Sequence, residues 1–447
     1  MSTVAAAIDC GATSVRVCRI DLDAPVLTPE VVHRVAHTPR RDAAGHLRWD
    51  WHRITDAVIE GLERCLELGP VASIGVDTWA VDYGLLDAHG HLIGDPYCYR
   101  DHRTDDFMHL VDRFGASEMY AINGLQLQPF NTIFQLAVHD RSELDRSNRL
   151  LWLPELIVHH LTGVAVTERT SAGSSGLVDI DTGDWSSDLL TLAGIEPGLV
   201  GDIESAGRVV GEWRGIPVVL VGGHDTASAV AGMGTSAPGG SAFVASGTWM
   251  LVGVERPTPD TSDWARTRNY TNEAGALGGI RFLRNVTGFW LLEQCRASWK
   301  THTIEALVER AGHVDVDVPT VDVDQPRLRA PDDMLREYTA LAGLTVDADP
   351  GLVARSIIES IAAGAAAVID ELAEANTFDD VVLFGGAARM HLLVERLNER
   401  TGRDVRVGSA EAAAIGNAIV QGVAIGIFDS LDDGRAKINT DTPTSDR

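Results

Sequence analysis

The chain has 447 residues, 45% of them hydrophobic and 23% charged, a composition that suits a soluble globular protein with two sizeable cores. Its 37 Lys+Arg against 64 Asp+Glu give a net charge of −27, which makes nucleic acid and anionic membranes poor partners and obliges any nucleotide site to use local arginine, backbone N–H groups and a divalent cation. Lys300 and Lys437 are its only lysines, and neither follows a glycine-rich loop, which excludes a P-loop and the strand lysine of a protein kinase.

In chain order, the first strand-like run is "VAAAIDCGATS" from Val4. It has no basic leader, and it meets Asp9 too early for a signal peptide. Five widely spaced cysteines without a CxxC fit a reducing cytoplasm. A helix is expected over "RITDAVIEGLERCLEL" (53–68) and a strand over "VASIGVDTW" from Val71, followed by a hairpin in "YGLLDAHGHLIGDP" with its turn at His89 and Gly90. The charges of "YRDHRTDD" read as a solvated ion-pair cluster, and the adjacent His159 and His160 point in two directions on a helix, a poor metal site.

Further on, "IPVVLVGGHD" from Ile216 is a strand that ends at His224 and Asp225. Asp225 is either the N-cap of a following helix or a base for a substrate hydroxyl. "GMGTSAPGGS" (232–241) reads as a crossover between domains. Strands are expected in "SAFVASGTW" from Ser241 and "DVVLFGGAA" from Asp380, with a buried core helix over 351–375 between them. Strands alternating with helices predict an α/β fold.

Two segments echo each other. "AAIDCGATSVRV" and "AFVASGTWMLVG" both run from apolar strand through small residues, Gly and Thr into a second strand. Such turns let an anion approach the main chain, and one in each half suggests two related domains that clasp a nucleotide. Asp9 stands just before the first turn, either capping it or holding Mg2+ through water. Thr13, Ser14 and Arg16 add hydroxyl donors and a fixed positive charge.

Taken together, "DCGATSVRV", "GVDTWAVDYGLLD", "PYCYRDHRTD", "LQPFNTIFQL", "GGHDTASAV", "TNEAGALGGIRFLRNVTGFWLLEQC" and "FGGAARM", in that order, resemble an FGGY-type carbohydrate kinase of the actin and hexokinase superfamily. The resemblance implies two ribonuclease H-like domains, 1–234 and 235–430, with mixed sheets flanked by helices and with ATP and sugar in the cleft between them. Residues 431–447 would form a flexible tail. The implied reaction is Mg2+- and ATP-dependent phosphorylation of a ketose, L-rhamnulose to L-rhamnulose 1-phosphate, by a cytoplasmic monomer or homodimer. Carried over by position, Asp225 would be the general base, and Ala80, His224, Thr226 and Asn285 would meet the sugar. Ala12, Thr13, Ser14, Val15 and Arg16 would form the first phosphate loop, Gly247 and Thr248 the second. Glu293, Gly385 and Gly386 would face the nucleotide, and Asp9 would organise the metal.

Four positions depart from the family pattern. Val15 replaces a glycine and implies an altered loop backbone, because β-branched residues avoid positive φ. Ala80 replaces a glycine beside the sugar, Glu293 replaces a glutamine, and "GGAARM" lacks the usual amides. A kinase for another ketose or polyol, such as L-fuculose or xylulose, is the first alternative. A non-catalytic sugar or nucleotide sensor and an actin-like ATPase follow.

Overall fold

The first strand, Val4–Gly11 (β1), is apolar except at Asp9 and is buried almost throughout. In the computed structural model, which describes residues 2–438 apart from 238, 248, 300 and 330, β1 is a central strand of a six-stranded sheet. It pairs antiparallel with Ser14–Asp21 (β2), which pairs antiparallel with Glu30–Ala36 (β3). Helix α1, Trp51–Glu67, is capped by Asp50 and covers this meander. Gly61 lets α1 approach closely, since a Cβ there would lie 2.3 Å from the Val17 side chain.

On the other side of β1 lies Ser73–Thr78 (β4), paired in parallel. Beyond it come Arg208–Trp213 (β5) and Ile216–Leu220 (β6), giving the order β5-β6-β4-β1-β2-β3. The sheet is therefore mixed: the β1–β2–β3 meander and the β5–β6 pair are antiparallel, while β4 lies parallel to both β1 and β6. The expected hairpin after residue 83 is a turn with Gly90 at φ 79° and a single bridge between Leu86 and Leu92. Strand Tyr83–Leu86 takes Arg149–Trp152 as its ladder partner instead.

The second six-stranded sheet repeats the pattern. Ser241–Ser246 (β7) pairs antiparallel with Trp249–Arg256 (β8). After Thr271–Ala274 (β9) and Ile280–Thr287 (β10), Asp380–Gly385 (β11) pairs in parallel with β7, and Asp404–Val407 (β12) with β11. The order is β9-β10-β8-β7-β11-β12. The two echoing segments thus occupy equivalent positions, each an antiparallel hairpin whose first strand has a parallel neighbour.

Helix Pro350–Ala375 (α2) is capped by Asp349 and packs against helices Ile304–Gly312 and His391–Thr401. It is long and apolar enough to cross a membrane, yet 72% of its apolar window is buried within the protein. The five cysteines are free and buried.

The chain divides into two compact units that interrupt each other. Among the described residues, one contains those up to Thr235, Glu255–Phe282 and 412–438; the other contains Ser236–Val254 and Leu283–Glu411. The return of the C-terminal segment departs from a division in chain order, and its cause is a row of buried polar contacts. In helix Ala412–Ala424 (α3), Gln421 accepts a hydrogen bond from Ser73 Oγ at 2.7 Å and donates to the Ala6 carbonyl at 3.1 Å. The expected tail is also corrected for 431–438. Leu431–Arg435 is helical, and the buried Arg435 donates to the Ala231 and Val230 carbonyls at 3.1 and 2.8 Å. Residues 439–447 lie outside the described residues.

Candidate active site

Sheet register brings three charges into one row. Asp9 on β1 stands opposite Arg16 on β2 and beside Asp77 on β4. Arg16 Nη2 lies 2.7 Å from Asp9 Oδ2, and Asn417 on α3 donates to Asp77 Oδ2 at 2.6 Å. Gly75 makes room for that contact, because a Cβ there would lie 2.3 Å from Asn417 Oδ1. Burial, reinforced by the Asp9 carboxylate, holds the Asp77 pKa well above the usual range.

The parallel strands end together. Thr78 donates to the Gly223 carbonyl at 2.8 Å, and Trp79 to the Cys10 carbonyl at 3.3 Å. Residues after β6 therefore reach the same sheet edge as Asp9 and Asp77. Helix Asp225–Ala231 (α4) opens there with His224 as its N-cap residue, and that histidine makes no side-chain capping bond. Asp225 is the first residue of the helix rather than its cap, so its carboxylate is not consumed by the helix end. Oδ1 accepts from Thr226 Oγ1 at 3.2 Å. Desolvation, then the neighbouring Asp9 carboxylate, lift the Asp225 pKa to about 7, while 32% of its side chain stays exposed and reachable. A half-ionised, accessible carboxylate near neutral pH is what a general base requires.

The loop before Asp225 rests on a second buried acid pair. Glu168 Oε2 accepts from the N–H groups of Gly223 at 3.0 Å and Thr170 at 2.8 Å. It also accepts from Thr170 Oγ1, which in turn accepts from the His224 N–H at 3.0 Å. Glu155 Oε1 accepts from the Glu168 N–H at 3.1 Å. Burial, then the adjacent Glu168, raise Glu155 to about 8, and burial raises Glu168 to about 7. Gly223 is needed by close approach, since a Cβ would fall 2.7 Å from Ser171 Oγ.

Ala80 leads into a strained turn. Val81, buried and β-branched, has φ 72°, a conformation that persists only where its surroundings impose it. Thr132 Oγ1 and Gln135 Nε2 donate to its carbonyl at 2.8 and 3.3 Å. The next residue, Asp82, accepts from Trp49 Nε1 at 2.6 Å, Trp79 Nε1 at 2.9 Å and the Tyr99 N–H at 3.1 Å. Donors from residues 49, 79 and 99 thus converge on one buried carboxylate.

The first phosphate-type turn is tighter than expected. Gly11 pairs with Ser14, leaving Ala12 and Thr13 as the turn. Val15 is a strand residue paired with Cys10. It is not among the described residues with positive φ, and its side chain is fully buried in the core. The expected distortion at Val15 is therefore absent, and only its main chain remains for a ligand.

The remaining predicted contacts belong to the other unit. Ser246 Oγ donates to the Phe384 carbonyl at 2.8 Å and accepts from the Ala387 N–H at 3.2 Å, tying the second hairpin to the "GGAARM" turn. Gly385 has φ 89°, and a Cβ there would lie 2.4 Å from the Ser246 carbonyl oxygen, whereas Gly386 faces open space. Gly247 donates to the Trp249 carbonyl at 2.9 Å, and Thr248 lies outside the described residues. Glu293 pairs with Arg296 at 3.0 Å, and Asn285 is on β10.

Sequence reasoning missed Asp77, Glu155, Glu168, Glu273 and Arg281. A signal for Asp77 was present, since "GVDTW" repeats the strand-then-aspartate pattern of "AIDCG". The buried carboxylates of Glu155, Glu168 and Glu273, on one helix and two short strands, left no comparable trace.

Comparison with known proteins agrees with this architecture. Residues 4–232 match the N-terminal domain of the FGGY family of carbohydrate kinases, and 242–425 match its C-terminal domain. A rhamnulokinase of Enterococcus faecalis is 33% identical over 460 residues, covering 98% of this chain and 92% of the relative. One of Bacillus subtilis is 32% identical over 467 residues, covering 98% and 93%. Among solved structures, ligand-bound xylulose kinase from Lactobacillus acidophilus superposes with a TM-score of 0.81 at 16% identity, covering 98% of this chain and 93% of that one. Glycerol kinase from Plasmodium falciparum with ADP gives 0.79 at 14% identity, covering 98% and 93%. These two likenesses carry the fold, and the two domain matches carry the family: the chain belongs to the FGGY family of carbohydrate kinases.

Proposed function

We propose that this kinase transfers the γ-phosphoryl group of ATP to the 1-hydroxyl of L-rhamnulose, with Asp225 as the general base. The observation that carries the reading is the state of Asp225, which is reachable, not used as a helix cap and raised to about 7. The choice of sugar is supported by relatives named rhamnulokinase at 32–33% identity over nearly the whole chain.

In this mechanism the sugar O–H bond breaks as its proton passes to an Asp225 oxygen. The freed oxygen attacks the γ-phosphorus, and the bond to the ADP oxygen breaks. Asp225 then returns its proton to solvent. His224 and Thr226 flank the base and would orient the sugar, with Asn285 as a further contact. Ala12, Thr13 and the main chain of Ser14 and Val15 would receive phosphate oxygens. Gly247 and Gly386 would contact the nucleotide.

The acid row fits Mg2+. Asp9 and Asp77 are hard, buried oxygen donors side by side in register, and Asp77 Oδ1 accepts no hydrogen bond among the described residues. No group of three or more ligating side chains is preassembled among those residues, which suits an ion that keeps several waters. Asp9 would hold it through water, with Asp77 behind. Bound there, Mg2+ would neutralise phosphate charge.

The test is a coupled ADP-release assay with ATP and Mg2+ across ketoses and polyols. L-rhamnulose is expected to give the highest kcat/KM, and Asp225→Asn to lower kcat by about 10²–10⁴-fold in a protein that still folds. A better sugar would reassign the substrate, and an undiminished Asp225→Asn would remove the base.

A further inference from the structure

Arg281 has no contact with solvent, and its partners explain why a guanidinium is buried there. Its Nε donates to the Ala274 carbonyl at 3.0 Å, and its Nη2 lies 3.0 Å from Glu273 Oε2. The same Nη2 faces His224 Nδ1 at 3.1 Å. A guanidinium has only donors, so the ring nitrogen that meets it must accept. Nδ1 therefore carries no proton, and the neutral ring holds its proton on Nε2. That nitrogen faces Asp225 Oδ1 at 3.5 Å.

The alternatives are costly. A proton on Nδ1 would set a donor against Arg281 Nη2 at 3.1 Å, with Glu273 Oε2 as its nearest acceptor only at 3.4 Å, a poorer pairing in a buried site. Burial, then the Arg281 charge, also hold the His224 pKa well below its ordinary value. The groups facing this ring are Arg281 and Glu273 on the Nδ1 side and Asp225 on the Nε2 side, while Thr170 takes its backbone N–H. An imidazolium beside Asp225 would hold that carboxylate ionised and weaken it as a base. A neutral ring leaves it basic.

We propose that Arg281, anchored by Glu273, is a positioning residue that locks His224 in the neutral Nε2–H tautomer and so presents a fixed donor to Asp225 and the sugar. The proposal rests on the reading of Asp225 as base. The tautomer, however, can be measured without substrate, so the two ideas fail separately.

The experiment uses the full-length protein labelled with 15N-histidine, with long-range 1H–15N correlation spectra at neutral pH. The His224 signals are identified by their loss in His224→Gln. The expected wild-type pattern is an unprotonated Nδ1 and a protonated Nε2. Arg281→Met is expected to abolish that pattern and to lower kcat by about 10- to 100-fold, with the KM for ATP unchanged. Arg281→Lys keeps a donor and should restore the tautomer and much of kcat. A proton on Nδ1 in the wild type overturns the proposal, as does an Arg281→Met protein with unchanged tautomer and kcat. If Arg281→Met does not fold, the wild-type spectrum and Arg281→Lys decide: full kcat with a scrambled ring tautomer in the lysine variant rejects the proposal.

Discussion

The proposed role of Asp225 as a base rests on its burial beside another carboxylate. Its Oδ1 accepts from the Thr226 hydroxyl, and the Asp9 charge opposes its ionisation more strongly than Arg16 favours it. A carboxyl raised to about 7 is protonated below that pH and cannot accept the sugar proton. The kcat/KM for sugar is therefore expected to rise with pH through about 7 and then level off. A profile that is flat from about pH 5 to about 8 would contradict the assignment. In the sequence, the same residue was also readable as an N-cap, because Asp suits both roles. Only the backbone separates them, by placing His224 at the cap position and Asp225 one residue inside. Val15 was misjudged for a related reason. Letters alone did not reveal that the turn closes at Gly11 and Ser14, with Val15 already in a strand.

The loop that leads into Asp225 stands on Glu155 and Glu168. Both have folded pKa values above those of an unfolded chain, at about 8 and about 7. A carboxyl of this kind contributes stability that is complete below its unfolded pKa and lost as pH rises through its folded pKa. The melting temperature should therefore decline between about pH 4.5 and about 8, and Glu155→Gln should flatten that decline. An identical pH dependence in wild type and variant would show that the pair does not share this burden. At this scale the sequence was only partly legible. Strands, the helix at 51–67 and the phosphate-type hairpins follow from apolar periodicity and glycine position. The positive φ of Val81 does not, because Thr132 and Gln135 impose it from more than fifty residues away.

The repeated sheet order makes the two halves related in plan, yet their chains are interleaved. Helix α3 supplies Asn417 to Asp77 and Gln421 to Ser73. At its crossing with α4 the backbones nearly touch, since a Cβ on Gly416 would lie 1.8 Å from the Ser228 carbonyl oxygen. Arg435 completes the closure on the Val230 and Ala231 carbonyls and on Glu255 at 2.9 Å. Arg435→Ala should lower the thermal midpoint by about 2–3 °C, reflecting about 2 kcal/mol of lost buried bonding. An unchanged midpoint would mean that the last turn is dispensable. The family resemblance foresaw two domains, but not this return, since Gln421 and Arg435 carry no sequence signal of their distant partners.

That interleaving sets an order of assembly on the ribosome. The unit made of Ser236–Val254 and Leu283–Glu411 has all its described residues before α3 is translated. The unit bearing Asp9 and Asp225 must wait for Asn417, Gln421 and Arg435. At ordinary elongation rates the wait after Thr235 is about ten to forty seconds, during which β1 and β4 lack the polar partners that α3 supplies. The unit whose synthesis begins first is therefore the one completed last, once α3 and Arg435 have been made.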